Sequence, residues 1–264
     1  MQDLKILALQ SDIIWQSPES NRQQFEKKLQ KEFNDHDLVI LPETFTTGFP
    51  VDPIDYSERI SGPTMAWLKK LSASLKAVIC GSFLLNDNGH YSNSLIWHRP
   101  DGSYERYDKR HVFSMGGEHE KIDAGKTQLI VELKGWKIKP MICYDLRFPV
   151  WSKNTYSNDD GFEYDLAIYV ANWPAVRDYP WKQLLIARAI ENIACVIGLN
   201  RVGEDGPGNT YVGSSMIIDA KGQILENGYE GEEKALTVQL SATDLVSFRK
   251  KFNVGFDWDS FTII

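Results

Sequence analysis

The sequence is short of cysteine, of sustained apolar runs and of positive charge, and each shortage removes a class of protein. Its 264 residues hold three cysteines, Cys80, Cys143 and Cys195. An odd, sparse set with no Cys-x-x-Cys pair excludes a disulfide framework and a cysteine-rich zinc site, and it fits a reducing compartment. No uncharged apolar run nears the ~20 residues a membrane span needs. The chain begins Met1-Gln2-Asp3-Leu4-Lys5-Ile6 and enters a strand pattern at once, without the basic-then-apolar order of a secretory signal. The expected location is cytoplasmic. Lys and Arg total 29 against 36 Asp and Glu, a formal net charge of −7. That balance argues against nucleic acid and against a membrane surface as partners.

Several motifs are missing too. No Gly-x-Gly-x-x-Gly follows a strand, and no Gly-rich phosphate loop ends in Lys-Ser/Thr. There is no Gly-x-Ser-x-Gly elbow. His119-Glu120 has Asp123 where a helical zinc-protease pair needs histidine, and the five histidines do not cluster at ligand spacing. No metal site is expected, and no internal repeat or low-complexity segment interrupts the chain.

What is present is the material of one large domain spanning 1–264: 42% hydrophobic residues, with eight Trp, eleven Tyr and twelve Phe. Short apolar strands are expected over 4–10, 37–41, 77–85, 91–98, 128–133, 137–143, 165–171, 194–199, 211–218, 223–226 and 234–240. Helices are expected over 18–33, 63–76 and 179–193, with a last one after Ser241. Ser17-Pro18 and Gly62-Pro63 read as helix starts, and Ser241 to Asp244 resembles a capping box with Asp in place of Glu or Gln. Strands alternating with helices, some joined by hairpins, indicate an α/β layered protein with mixed sheets.

Three segments can carry chemistry. The first is Leu38-Val-Ile-Leu-Pro-Glu43, a carboxylate just past an apolar strand. The second is Tyr107-Asp108-Lys109-Arg110-His111-Val112-Phe113. The third is Pro140-Met-Ile-Cys143-Tyr144-Asp145-Leu146-Arg147-Phe148-Pro149. Ligands of α/β sheets bind beyond the carboxyl ends of strands, where Glu43 and Cys143 both sit. Singly, each has a plain reading: a cysteine at a strand end is more often an inert small hydrophobe, a Glu after Pro a solvated turn residue, and a Lys beside Arg a surface charge. The argument rests on their occurring together in this order.

Together they resemble the nitrilase superfamily of carbon–nitrogen hydrolases, from Ile6 to about Val238. Leu41-Pro42-Glu43 is similar to that family's base motif, Asp108-Lys109-Arg110-His111 to its lysine motif, and Cys143 to Pro149 to its nucleophile motif. The resemblance implies Glu43, Lys109 and Cys143 as the catalytic set. Glu118, seven residues before Gly125, matches a further glutamate that often accompanies the set, with Glu120 as the competing choice. Val170-Ala-Asn-Trp173-Pro and Arg188-Ala-Ile-Glu191-Asn also resemble family segments; the spacing of Arg188 and Glu191 puts them on one helix face, where they can pair. The implied fold is a four-layer α-β-β-α sandwich with two mixed β-sheets, and the implied assembly a homodimer or a higher even homo-oligomer.

The chemistry joins these residue types. A carboxamide is a poor electrophile and a neutral thiol a weak nucleophile, so Cys143 is expected to act as a thiolate whose pKa the Lys109 cation lowers. Glu43 takes the thiol proton and returns one to departing ammonia. Lys109 and the backbone N–H of Tyr144 receive the oxyanion, and Glu118 orients Lys109, the substrate or the hydrolytic water. No cofactor is implied; the partners are a small amide and water.

Cys-Tyr-Asp-Leu-Arg-Phe-Pro with Val-Ala-Asn-Trp-Pro downstream resembles the ω-amidase branch, which cleaves the terminal amide of 2-oxoglutaramate or 2-oxosuccinamate. Arg147 is a candidate for the substrate carboxylate, with a structural salt bridge as its competing role. Phe113 and Trp173 are candidate apolar walls. The alternatives are a deaminated-glutathione amidase, an N-carbamoyl amino acid hydrolase, or an inert scaffold on the same fold. The helix near Trp151 and the tail over 252–264 are expected at an interface.

Overall fold

The computed structural model describes residues 1–50 and 52–263. Alternation along the strands builds its layers. In Leu4–Gln10, Leu4, Ile6 and Ala8 face one way, while Leu7 and Leu9 face the other. The same split divides Leu38 and Ile40 from Val39, and Val78 and Cys80 from Ile79. Because both faces are apolar, each strand needs cover on both sides, and a four-layer stack supplies it.

The first sheet has six strands in the order Lys234–Leu240, Leu4–Gln10, Leu38–Ile40, Val78–Asp87, His90–His98 and Tyr104–Asp108. Its outer face packs on the Pro18–Glu32 and Pro63–Leu75 helices through Phe25, Leu29, Met65 and Leu68. The second sheet also has six, in the order Ile224–Asn227, Met216–Ile218, Cys195–Asn200, Leu166–Ala171, Trp136–Ile142 and Val131–Leu133. Trp181, Leu185 and Ala189 of the Asp178–Asn192 helix and Leu245 of Ala242–Lys251 join its core. The result is the α-β-β-α sandwich of two mixed sheets that was expected. Central pairs are parallel, such as Leu166↔Ile138 and Leu166↔Cys195, and the flanking pairs antiparallel.

Several expectations need correction. Ser17 precedes the first helix but its side chain caps no amide; its hydroxyl donates to Ser20 Oγ at 2.9 Å. Ser241 does cap, accepting from Asp244 N at 3.1 Å. The strand expected over 211–218 is broken into Thr210–Val212 and Met216–Ile218. Gly213 and Ser214 between them have φ of 74° and 51°, and a Cβ on Gly213 would lie 2.3 Å from the Gln10 side chain. Tyr104–Asp108 is a strand where none was expected.

Arg188 and Glu191 pair at 2.7 Å as their spacing predicts. Cys80 and Cys195 are buried free thiols. Trp151 is buried in its own chain, donating to Tyr107 Oη at 2.9 Å, while its neighbour Val150 is exposed. The tail packs on the chain itself: Phe256 against Tyr156 and Trp258 against Phe162. Ile264, the last residue of that segment, lies outside the described residues. Among the described residues, no helix is long and apolar enough to cross a membrane.

Candidate active site

Strands of both sheets end at one edge, and the residues just past those ends converge. Glu43 follows Leu38–Ile40, and Lys109 follows Tyr104–Asp108, both in the first sheet. Cys143 follows Trp136–Ile142, and Asn172 follows Leu166–Ala171, both in the second. Glu43, Lys109, Cys143 and Asn172 line a single cavity of about 410 Å³.

Glu43 is 1% exposed, and its carboxylate is held by four donor contacts. Asn93 Nδ2 and Lys109 Nζ donate to Oε1 at 2.8 and 3.0 Å. The Asn172 backbone N–H and its Nδ2 donate to Oε2 at 2.7 and 3.3 Å. Asn93 belongs to no segment singled out above; its site on a central strand becomes meaningful only once the sheets are stacked.

Lys109 Nζ also donates to Glu118 Oε1 and Oε2, at 3.1 and 3.0 Å. Burial alone would lower the lysine's pKa, but the charges of Glu118 and Glu43 outweigh it and hold the ammonium above its usual range. An ammonium has three N–H groups, and three carboxylate oxygens of Glu43 and Glu118 lie within hydrogen-bond distance of this one, which fixes its position at the cavity wall. Burial lifts the Glu118 carboxyl above its ordinary value against the pull of Lys109. Glu118 also accepts from Phe113 N. Glu120, two residues on, is exposed. The loop carrying these groups closes on itself through Gly125 N donating to Lys109 O at 2.8 Å. A Cβ at Gly125 would lie 2.0 Å from Asp108 O, so only glycine allows that closure.

Cys143 sits on the turn from strand to the 3-10 helix Cys143–Arg147, with φ of 44° in the left-handed region. Tyr144 therefore lies in a first helical turn, whose amides have no intrahelical acceptor. The thiol is 9% exposed, with Sγ 3.8 Å from Asn172 O. Its proton is held more tightly than the sequence suggested. Burial raises the Cys143 pKa well above the ordinary thiol value, the Glu43 charge adds to it, and Lys109 only partly opposes them.

Asp145 fastens the turn at Cys143 to the loop that carries Lys109. It is fully buried, and accepts from Tyr107 Oη at 2.7 Å and Ile142 N at 3.0 Å through Oδ2. His111 N and Nδ1 donate to Oδ1 at 3.0 and 2.8 Å. His111 stacks on Phe148 with ring centroids 3.7 Å apart. Tyr107, His111 and Asp145 lay inside the quoted segments, yet nothing in their spacing marked them as mutual partners.

The remaining candidates, Phe113, Arg147 and Trp173, all line the cavity. Arg147 makes no salt bridge among the described residues; its Cζ lies 4.9 Å from the Trp173 ring centroid. Arg177, which the sequence did not single out, lines the cavity as well, with its Cζ 5.3 Å from the Phe113 centroid. The far wall is Asp205, Asn209 and Tyr211, joined by Tyr211 Oη donating to Asp205 Oδ2 at 2.8 Å.

Known proteins resemble this chain over its whole length. The Carbon-nitrogen hydrolase family profile matches residues 7–250. The omega-amidase YafV of Yersinia enterocolitica is 42% identical over 264 residues, covering all of both chains. A 2-oxoglutaramate amidase of Bacillus subtilis is 33% identical over 255 residues, 96% of each chain. Among solved structures, XC1258 of Xanthomonas campestris is a CN-hydrolase superfamily protein with an arsenic adduct in its active site. It superposes with a TM-score of 0.97 at 44% identity, covering all of both chains.

Proposed function

We propose a reaction from one premise: the chain belongs to the carbon–nitrogen hydrolase family. It is an amidase acting on linear C–N bonds. In our reading the substrate is the terminal carboxamide of a small 2-oxo acid such as 2-oxoglutaramate, and the relative named 2-oxoglutaramate amidase and the one named omega-amidase support it.

The observation that carries the mechanism is the convergence of Cys143, Glu43 and Lys109 on one cavity. The raised thiol pKa sets the order of events. Cys143 keeps its proton until an amide is bound, then passes it to Glu43 as sulfur attacks the carbonyl carbon. The C=O bond opens to an oxyanion, which the Lys109 ammonium and the Tyr144 amide receive. Glu43 returns the proton to nitrogen, the C–N bond breaks, and ammonia leaves a thioester behind. Water then gives a proton to Glu43 and its oxygen attacks the thioester. The C–S bond breaks, Glu43 reprotonates Cys143, and the acid departs. Glu118 acts through Lys109, holding the ammonium where the oxyanion forms.

Ammonia release from 2-oxoglutaramate, with glutamine and asparagine as controls, tests this. Native protein should release it and Cys143→Ala should not; full turnover by Cys143→Ala would remove the nucleophile from the scheme. Turnover of an N-carbamoyl amino acid or a deaminated peptide amide in preference would move the substrate to another amidase of the family.

The assembly in this reading is an even homo-oligomer in a reducing, cytoplasmic setting. Exposed apolar side chains near the cavity and on the adjoining helix support it: Val150, Val176, Tyr179 and Ile190. Exposed parts of Phe256 and Phe261 extend the candidate interface into the tail. Sedimentation at micromolar concentration decides it, and a monomer would refute it.

A further inference from the structure

Among the described residues, arginines follow a pattern with three departures, of which Arg59 is exposed to solvent and the other two lie on the cavity wall. Arg22, Arg99, Arg106, Arg188, Arg201 and Arg249 each pair with a carboxylate, and Arg110 donates to the Gly125 carbonyl. Arg147 and Arg177 are half-buried on the cavity wall, and neither guanidinium has a carboxylate or carbonyl partner among the described residues. Their neighbours on that wall do not supply one. Glu43 is engaged by Lys109, and Asp205 by Asn209 and Tyr211.

Aromatic rings hold both guanidinium groups. Arg147 lies against Trp173 and Arg177 against Phe113, whose ring is 5.0 Å from that of Tyr144, the residue after the nucleophile. A ring under the guanidinium plane fixes its orientation and leaves the N–H edges to accept a ligand. Half-buried guanidinium groups with no ion-pair partner of their own, both lining the cavity that holds Cys143, call for an anionic ligand.

We propose that Arg147 and Arg177 form a two-guanidinium clamp for the end of the substrate opposite its amide: a carboxylate with a neighbouring carbonyl oxygen. The clamp rests on the amidase reading and adds what that reading lacks, a reason for preferring a 2-oxo acid to an amino acid. A carboxylate and a 2-oxo oxygen present only acceptors to two donors. An α-amino acid such as glutamine presents an ammonium in place of the oxo oxygen, and like charges then face one another. The clamp is thus a charge filter that spares amino-acid amides.

Calorimetry on the Cys143→Ala protein reads binding without turnover. The Kd for 2-oxoglutaramate should rise about tenfold or more when Arg177→Gln is added, the scale of a lost hydrogen bond to a charged group. Arg177→Lys, which keeps charge but loses the fork, should fall between. With Cys143 intact, the ratio of kcat/KM for 2-oxoglutaramate over butyramide should drop at least tenfold in Arg177→Gln. The ratio for glutamine over butyramide should rise. A Kd unchanged within twofold, no measurable binding of 2-oxoglutaramate, or equal losses on all three amides overturns the clamp. If the native protein releases ammonia from none of them, the amidase reading falls, while the titration still decides whether Arg177 binds the carboxylate.

Discussion

Asp145→Asn tests whether one buried carboxylate holds two parts of the site together. Its two oxygens accept from four donors: Tyr107 Oη, Ile142 N, His111 N and His111 Nδ1. Asparagine keeps the shape but offers one carbonyl oxygen, and its amide N–H groups face the two donors that remain. Two hydrogen bonds to a charged acceptor contribute about 1.5–3 kcal/mol each, so the variant should lose about 3–6 kcal/mol. At about 2–4 °C per kcal/mol for a domain of this size, Tm should fall by roughly 10 °C or more. Urea unfolding followed by tryptophan fluorescence measures the free energy directly, through the midpoint and slope. Activity should decline with stability, because Ile142 precedes Cys143 and His111 follows Lys109 by two positions. A loss below about 1 kcal/mol would refute the reasoning, since it would mean that water or a rearranged loop satisfies all four donors.

The left-handed φ of Cys143 makes a second prediction. A non-glycine residue there costs about 1–2 kcal/mol, part of which glycine returns through its greater freedom when unfolded. Among inactive variants, Cys143→Gly should therefore unfold about 0.5–1 kcal/mol later than Cys143→Ala, and the reverse order would mean the turn is unstrained. The raised thiol pKa makes a third. The folded state holds that proton more tightly, so its stabilisation is complete below the unfolded thiol's pKa of about 8.5 and is lost as pH rises towards the folded value. Native Tm should fall more steeply than that of Cys143→Ala above about pH 8.5, and parallel curves would count against a buried neutral thiol.

Much of this was legible from the residues alone, for identifiable reasons. Strands buried on both faces read as continuous apolar runs, so Leu4–Gln10 and Leu166–Ala171 stood out. Tyr104–Asp108 did not: it is an edge strand of mostly polar residues, with Tyr107 alone buried. The break at Gly213 depends on the Gln10 side chain, which arrives from a strand about two hundred residues earlier. Three of the chemical segments announced themselves by order, yet the partners that hold them are tertiary. Asn93 sits on a strand like any other until Glu43 comes within 2.8 Å. The net direction of the thiol pKa was hidden for the same reason: Lys109 does pull it down, but a sequence does not reveal how completely both groups are withdrawn from water.

Division of the site between the two sheets has a consequence for the chain as it is made. Glu43 and Lys109, the proposed proton carrier and oxyanion donor, precede the thiol by many positions and follow strands of the first sheet; Cys143 hangs from the second. Either sheet alone carries half a reaction. A nascent chain that has emerged as far as its lysine holds the carboxylate and the cation but has no thiol to attack with. One whose second sheet has yet to dock carries a cysteine with no acceptor beside it. In the proposed mechanism the thiol therefore gains its proton acceptor only when the two sheets close.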